Sequence, residues 1–377
     1  MEDLNNNHTR DAGEAGTSRR AMIRNIVLSV CLSVATFIIV ILITYEPGAL
    51  RSIADSFHPF VLLLAAGTVF LRIAIGAFRL RYISHRTIRF RTAVRGQIAW
   101  DFFSSVTPSV IGGGPLAALY ISKNQKIPVG IATACLLYAM FLDQLFFALT
   151  VPALFVASLY LPVFPKSIGA IGAATLATYF TAILIWVMAF GYLTLVRPDL
   201  FARLTRWVFR FKLLSRFKSK IDSALDELQG RAEIIRKEKW PFFVNGFAIT
   251  ILTWAARYLL IVLVIVSVFP QVDVLMVVIR NAMMTLGSLI LPTPGGSGGI
   301  EGLYAIFIGS LIPKATVAPT LIAWRFLGYY MFILMGAYIT LHQVQKLFDD
   351  RVSVADEDRE DEFETESVND GSASTSL

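Results

Sequence analysis

TPSVIGGGP, from Thr107 to Pro115, and LPTPGGSGG, from Leu291 to Gly299, each interrupt an apolar run near its middle. The interrupted runs are 96–121 and 274–312. Proline removes a backbone donor, and each glycine costs a helix interior about 1 kcal/mol. In hydrocarbon the freed peptide groups find no water, so irregular backbone survives there only beside protein or a wet cavity. Each break is therefore expected to be the tip of a re-entrant hairpin or a gap in a helix that lines a cavity.

The chain around these breaks supplies the membrane. Hydrophobic residues make up 55% of it, charged residues only 16%, and the mean hydropathy is +0.63. A soluble domain usually carries about 25% charged residues. A helix needs about 20 apolar residues to cross about 30 Å of hydrocarbon. Six stretches meet that need: 26–45, 58–78, 128–159, 168–196, 241–269 and 317–344. The fold expected is all-α, a polytopic integral membrane bundle of about six full spans plus two Gly/Pro-broken hairpins. The run Ile26–Thr44 is free of charge and has no small-residue cleavage pattern after it, so it reads as a retained span rather than a signal peptide.

Charge orients the bundle. If 96–121 is a hairpin, the loop 79–95, with Arg79, Arg81, Arg86, Arg89, Arg91 and Arg95, falls on the same side as Lys123, Lys126 and the basic loop 197–240. The opposite side keeps little more than Arg51, Lys166 and Lys314. The positive-inside rule then puts both termini in the cytoplasm of a multi-pass cell-membrane protein. A full crossing by 96–121 would expel the basic loop, and Gly96–Thr107 supplies only about 18 Å of helix. For the same reason 300–312, about 20 Å, is expected to return rather than cross.

This layout contains a repeat. Span, hairpin and span at 58–78, 96–121 and 128–159 match 241–269, 274–312 and 317–344, offset by roughly 185 residues, and the first unit opens inward while the second opens outward. Paired interrupted segments in inverted halves point to a transporter-like binding site. Three regions fall outside this unit: residues 1–22, a disordered N-terminus; 197–240, a cytoplasmic amphipathic loop within the 23–345 membrane domain; and 346–377, an acidic, Ser-rich disordered tail.

Polar groups at membrane depth are costly, so each is a functional candidate. The spans hold Arg72, Asp101, Asp143, Arg257, Arg280, Asn281, Glu301 and Arg325. Arginines outnumber acids, which suits an anionic lipid headgroup, because a guanidinium fork grips phosphate with two bonds. Arg257, Arg280, Asn281 and Arg325 are the candidate substrate-binding side chains; structural ion pairs to Asp143 or Glu301 are the alternative for the arginines. The tips add Thr107, Gly112, Gly113, Gly114, Thr293, Gly295, Gly296, Gly298 and Gly299, whose N–H groups can approach a phosphate. Glu301 and Asp143 are candidate coupling or gating carboxylates. The alternatives are helix capping for Glu301, an ion pair for Asp143, and snorkelling to the interface for Arg72.

Other chemistries lack their residues. No GKS or GKT follows the glycines, and no Ser/His/Asp set or paired-His spacing is present. Cys31 and Cys135 lie in apolar runs and His8, His58, His85 and His342 are scattered, so neither a disulfide framework nor a metal site is expected, nor any cofactor. The net charge of +7 sits in loops, not on a soluble nucleic-acid-binding module. The partners expected are membrane lipids, with a second copy or a lipid-modifying enzyme as protein candidates.

TPSVIGGGPLAALYISK (107–123), LPTPGGSGGIEGLY (291–304) and WRFLGYY around Arg325 resemble the lysylphosphatidylglycerol synthase transmembrane, or flippase-like, family of UPF0104-type membrane proteins. The resemblance covers about 22–345 and implies a domain that moves lipids between leaflets. The family often carries a GGEPxRA pattern in its first motif; the matching charged positions here are Gly114 and Ala117, while Glu301 is retained in the second. No stretch matches the soluble aminoacyl-transferase domain of the synthases, so a transporter rather than an enzyme is expected. The alternative is a membrane-embedded accessory subunit or transferase acting on lipid-linked substrates.

Overall fold

The computed structural model describes residues 58–107, 113–165, 169–193, 237–289 and 293–339, with a few single positions such as Leu291. Nearly all of the expected span 26–45 and of 197–236, both terminal segments and Gly112 lie outside these residues. The described chain is helical, without strands: α1 Pro59–Ile83, α2 Phe90–Val106, α3 Gly113–Gln125, α4 Val129–Tyr160, α5 Gly169–Gly191, α6 Trp240–Val266, α7 Val274–Ser288, α8 Gly299–Phe307 and α9 Lys314–Arg325. A π-turn at Phe326–Tyr330 carries α9 on to Ile339. The helices α1, α4, α6 and the extended α9 are each long and apolar enough to cross a membrane.

Local chemistry sets several ends. Pro59 and Pro241 open α1 and α6, where a missing N–H costs nothing because the first turn has no partner to give it. The Asp273 carboxylate accepts from Met276 N at 3.1 Å and starts α7. Both glycine-rich breaks separate two helices that double back on each other. In the first, Gly96 lies against Ile121 and Gly113 against Ser104, so α2 and α3 run antiparallel. In the second, Arg280 Nη1 donates to Phe307 O at 3.1 Å and Leu291 lies against Gly299, so α7 and α8 do the same. The nine residues of α8 span only about 14 Å, less than half the hydrocarbon thickness.

The helices α1 and α6 are also antiparallel, and they pack along their whole length. His58 N donates to Ser267 O at 2.8 Å at one end; Tyr82 stacks on Phe242, centroids 5.2 Å apart, at the other. The element order α1, α2–α3, α4 recurs as α6, α7–α8, α9, each start roughly 185 residues on. The apolar core forms three buried clusters. One centres on α2, α3 and the start of α4; another on α6, α7, α8 and the end of α4; a smaller third joins α1 to α6 and the extension of α9.

One boundary differs from expectation. The basic connection expected over 79–95 shrinks to 84–89, turned by His85 and Arg86 at φ 51° and 64°. Arg79 and Arg81 belong to α1, and Arg91 and Arg95 to the opening turns of α2. Charge did not end α1, because Arg79 finds its counter-ion inside the bundle.

Candidate functional site

A cavity of about 510 Å³, with arginines and carboxylates set among apolar side chains, lies between the two larger clusters, and it is lined by α1, α2, α4, α5, α6, α7, the second glycine tip, the start of α8 and α9. That volume is in the range of small-ligand sites. Among the described residues, its lining arginines are Arg72, Arg79, Arg257 and Arg325.

Three of these are matched by carboxylates. Arg72 pairs with Asp101, whose second oxygen accepts from Gln97 Nε2 at 3.1 Å. Arg79 grips Asp143 with both terminal nitrogens, at 2.5 and 3.3 Å, and Trp254 Nε1 donates to the same carboxylate at 2.9 Å. Thus Asp143 ties α1, α4 and α6 together. Arg325 donates to Glu301 through Nε and Nη2, each at 2.8 Å, and to Ser297 Oγ at 3.3 Å. Glu301 is wholly buried, and its other oxygen accepts from Gly298 N at 2.8 Å. The carboxylate therefore caps α8 and holds Arg325 at once, where the helix dipole favours a negative charge.

Arg257 is the exception. Protein surrounds it on all sides, yet its side chain is exposed, because the surface it shows is that of the cavity. Among the described residues no carboxylate lies within ion-pair distance of it. Its guanidinium rests over the Trp254 ring, 5.0 Å from the centroid. A guanidinium so placed has no carboxylate on its fork among the described residues, and the fork is the geometry that grips an anion with two bonds.

The second tip is built into the site. Gly295 and Gly296 line the cavity, and Gly295, Gly296 and Gly298 have φ of 58°, 69° and 86°. A Cβ at Gly295 would also run into the Tyr329 ring. The hydroxyls of Ser297 and Tyr329 meet at 3.2 Å, and Tyr329 Oη donates to Ser105 O at 3.2 Å. A chain of polar contacts thus links the second tip, through the π-turn, to the last turn of α2 in the first hairpin. A π-turn often sits at a functional position, and here it presents Tyr329 to both hairpins.

Other expected residues stand elsewhere. Arg280 is not part of the lining; it donates to Phe307 O and to Pro162 O, each at 3.1 Å, and to Ser310 Oγ at 2.5 Å, and so holds the arms of the second hairpin together. Its neighbour Asn281 does line the cavity. The Thr107 hydroxyl donates back to Phe103 O at 2.6 Å at the end of α2. Thr293 Oγ1 is buried with no hydrogen-bond partner among the described residues. Gly113 serves packing, since any side chain there would collide with Ser104, and Gly114 faces Met140. Gly299 packs on Leu291.

Sequence reasoning missed Arg79 as a site residue and did not single out Trp254, Ser297 or Tyr329. Two signals were available. Arg72 and Arg79 are seven residues apart, two turns on one helix face. And TVFLR (68–72) recurs as TWAAR (253–257), at the same roughly 185-residue offset as the Thr-Pro pairs, with Thr68, Arg72, Thr253 and Arg257 all on the cavity.

Apolar helices long enough to cross a bilayer, folded around a cavity lined by Arg72, Arg79, Arg257 and Arg325, define an integral membrane protein. The chain belongs to the family described as the lysylphosphatidylglycerol synthase TM region, whose profile matches residues 26–336. Among its relatives are two described as UPF0104 membrane proteins. The one from Methanothermobacter thermautotrophicus is 26% identical over 311 residues, 77% of this chain and 87% of the relative. The one from Archaeoglobus fulgidus is 23% identical over 259 residues, 68% and 77% respectively.

Proposed function

We propose that this protein is a flippase-like transporter that moves the headgroup of a phospholipid or polyprenyl-linked lipid between leaflets. The observation that carries the reading is Arg257, a cation without a carboxylate partner among the described residues, in a cavity where the other lining arginines are neutralised. In this reading the lipid phosphate is the missing counter-ion, and the acyl or prenyl chains stay in the bilayer. The glycine tips would be re-entrant, approaching from opposite faces with the basic end of the bundle in the cytoplasm. The antiparallel packing of α1 on α6, which hold matching places in the two halves, supports an inverted repeat. Rocking of one half against the other would expose the headgroup alternately.

The test is reconstitution of the full chain in liposomes carrying headgroup-labelled anionic phospholipid in one leaflet. Expected is protein-dependent loss of the leaflet asymmetry, abolished by Arg257→Gln. Equal asymmetry with and without protein would defeat the proposal. Turnover of a labelled lipid-linked donor under the same conditions would favour a transferase instead.

A further inference from the structure

A second cavity, about 1040 Å³, opens at the basic end of the bundle, where the C-terminal turn of α1 meets the start of α6. It is separate from the central one and lies on a different face of α1. Phe78, Arg81, Tyr82 and His85 line it, whereas Thr68, Arg72 and Arg79 face the centre. From the opposite wall come Lys237, Glu238 and Lys239, and Arg86 completes the rim.

The charge here is one-sided. The cations Arg81, Arg86, Lys237 and Lys239 converge on a space whose lining includes a single carboxylate, Glu238. That carboxylate is already engaged, with His85 Nε2 3.1 Å from its Oε1. The connection that supplies Arg86 is held open by residues in the left-handed region, His85 and Arg86. Their N–H groups are used on Tyr82 O and Arg81 O, at 3.0 and 2.9 Å, so the turn is fixed rather than slack. The His85 ring also stacks on Phe242, 5.1 Å between centroids.

Beside the cavity the two helices are apolar and outward-facing. Phe78, in the lining, is 52% exposed, and Trp240 and Val244, next in sequence to the lining residues Lys239, Pro241 and Asn245, are 77% and 45% exposed. On a helix that crosses a bilayer such side chains face acyl chains, and tryptophan is favoured at the level of the headgroups. An anion with two apolar tails fits this geometry: charge in the basic cavity, tails along Phe78 and Val244. A soluble anion would have no use for that apolar border.

We infer that this cavity is a binding site for the headgroup of an anionic membrane phospholipid, separate from the transported lipid. It binds from the leaflet at the basic end and braces the junction of α1 and α6, the antiparallel pair that joins the two halves.

The test is native mass spectrometry of the full-length protein taken from mixed micelles of phosphatidylglycerol and phosphatidylcholine. Expected is retention of phosphatidylglycerol in preference to phosphatidylcholine. Arg81→Gln with Lys239→Gln should weaken that preference by about five-fold for each cation removed. Glu238→Gln, which removes the competing carboxylate, should strengthen it, so the inference stays testable if the double variant folds poorly. In an Arg257→Gln background, which removes anion binding at the central cavity, the double substitution should still weaken the preference by the same factor, and this separates the outcome from that of the transport proposal. Equal retention of the two lipids by the wild type would overturn the inference. So would an unchanged preference in the double variant, or displacement of the lipid by millimolar inorganic phosphate, which would assign the cavity to a soluble anion.

Discussion

The two halves of the molecule carry the same TxxxR face on their first helix and treat its arginine in opposite ways. In the first half Arg72 is closed off by Asp101 from the hairpin that follows. In the second half Arg257 occupies the matching place, and the hairpin positions that correspond to Asp101 are Leu286 and Gly287, which carry no charge. The carboxylate of the second hairpin is Glu301, on the returning arm, and it is committed to Arg325 and the α8 cap. One scaffold thus pairs this arginine with a carboxylate in one half and, among the described residues, leaves it without one in the other. Neutrality makes the difference: Arg72 with its carboxylate fixes helix positions, while Arg257, with no carboxylate partner among the described residues, is the arginine on which the transport proposal rests.

The largest expected effect comes from breaking the strut. Asp101→Asn leaves Arg72 buried without a counter-ion and should cost about 3–5 kcal/mol of stability. The apolar pair Arg72→Met with Asp101→Leu should cost far less, as removal of both partners generally does. Thermal unfolding in detergent reads both; equal losses would contradict the pairing.

Next is Arg257, which has no carboxylate partner among the described residues. Arg257→Met should slow headgroup translocation by about 30-fold or more, equivalent to about 2 kcal/mol or more for a desolvated charge contact. Its melting temperature should stay within a few degrees of the wild type, since no ion pair among the described residues is lost. A large fall in stability without loss of transport would reverse the roles assigned to the two arginines.

Smaller effects separate the glycines of the first tip. Gly113→Ala drives a methyl into Ser104, including its backbone nitrogen, and should cost about 1–3 kcal/mol. Gly114→Ala meets only Met140 Sδ, 3.5 Å away, in ordinary contact, and should change stability by less than about 1 kcal/mol. Comparing their unfolding midpoints tests whether the first hairpin is closed by packing rather than by charge.

Much of this was legible in the sequence because hydrocarbon permits so few solutions. Apolar length gave α1, α4, α5, α6 and the extended α9, and the Gly/Pro clusters marked where two helix pairs fold back. Glu301 was readable as a first-turn acid. Pairing was harder to read. Arg79 looked like part of a basic loop, since composition cannot show that α1 runs on to Ile83 or that Asp143, 64 residues away, faces it. Arg280 looked equivalent to Arg257 and Arg325, but whether a helix arginine faces a cavity or three backbone and hydroxyl oxygens depends on the neighbouring chain. Tyr329 carried no charge to draw notice, and its position follows from a π-turn that residue patterns do not announce.

The most direct measurement is an experimental structure of the full chain in lipid nanodiscs containing anionic phospholipid. Expected is phosphate density in the central cavity within hydrogen-bonding reach of the Arg257 guanidinium, with Arg72, Arg79 and Arg325 still on their carboxylates. A carboxylate from another part of the chain seated on Arg257, with no headgroup in the cavity, would contradict the claim that this cation is held for a lipid.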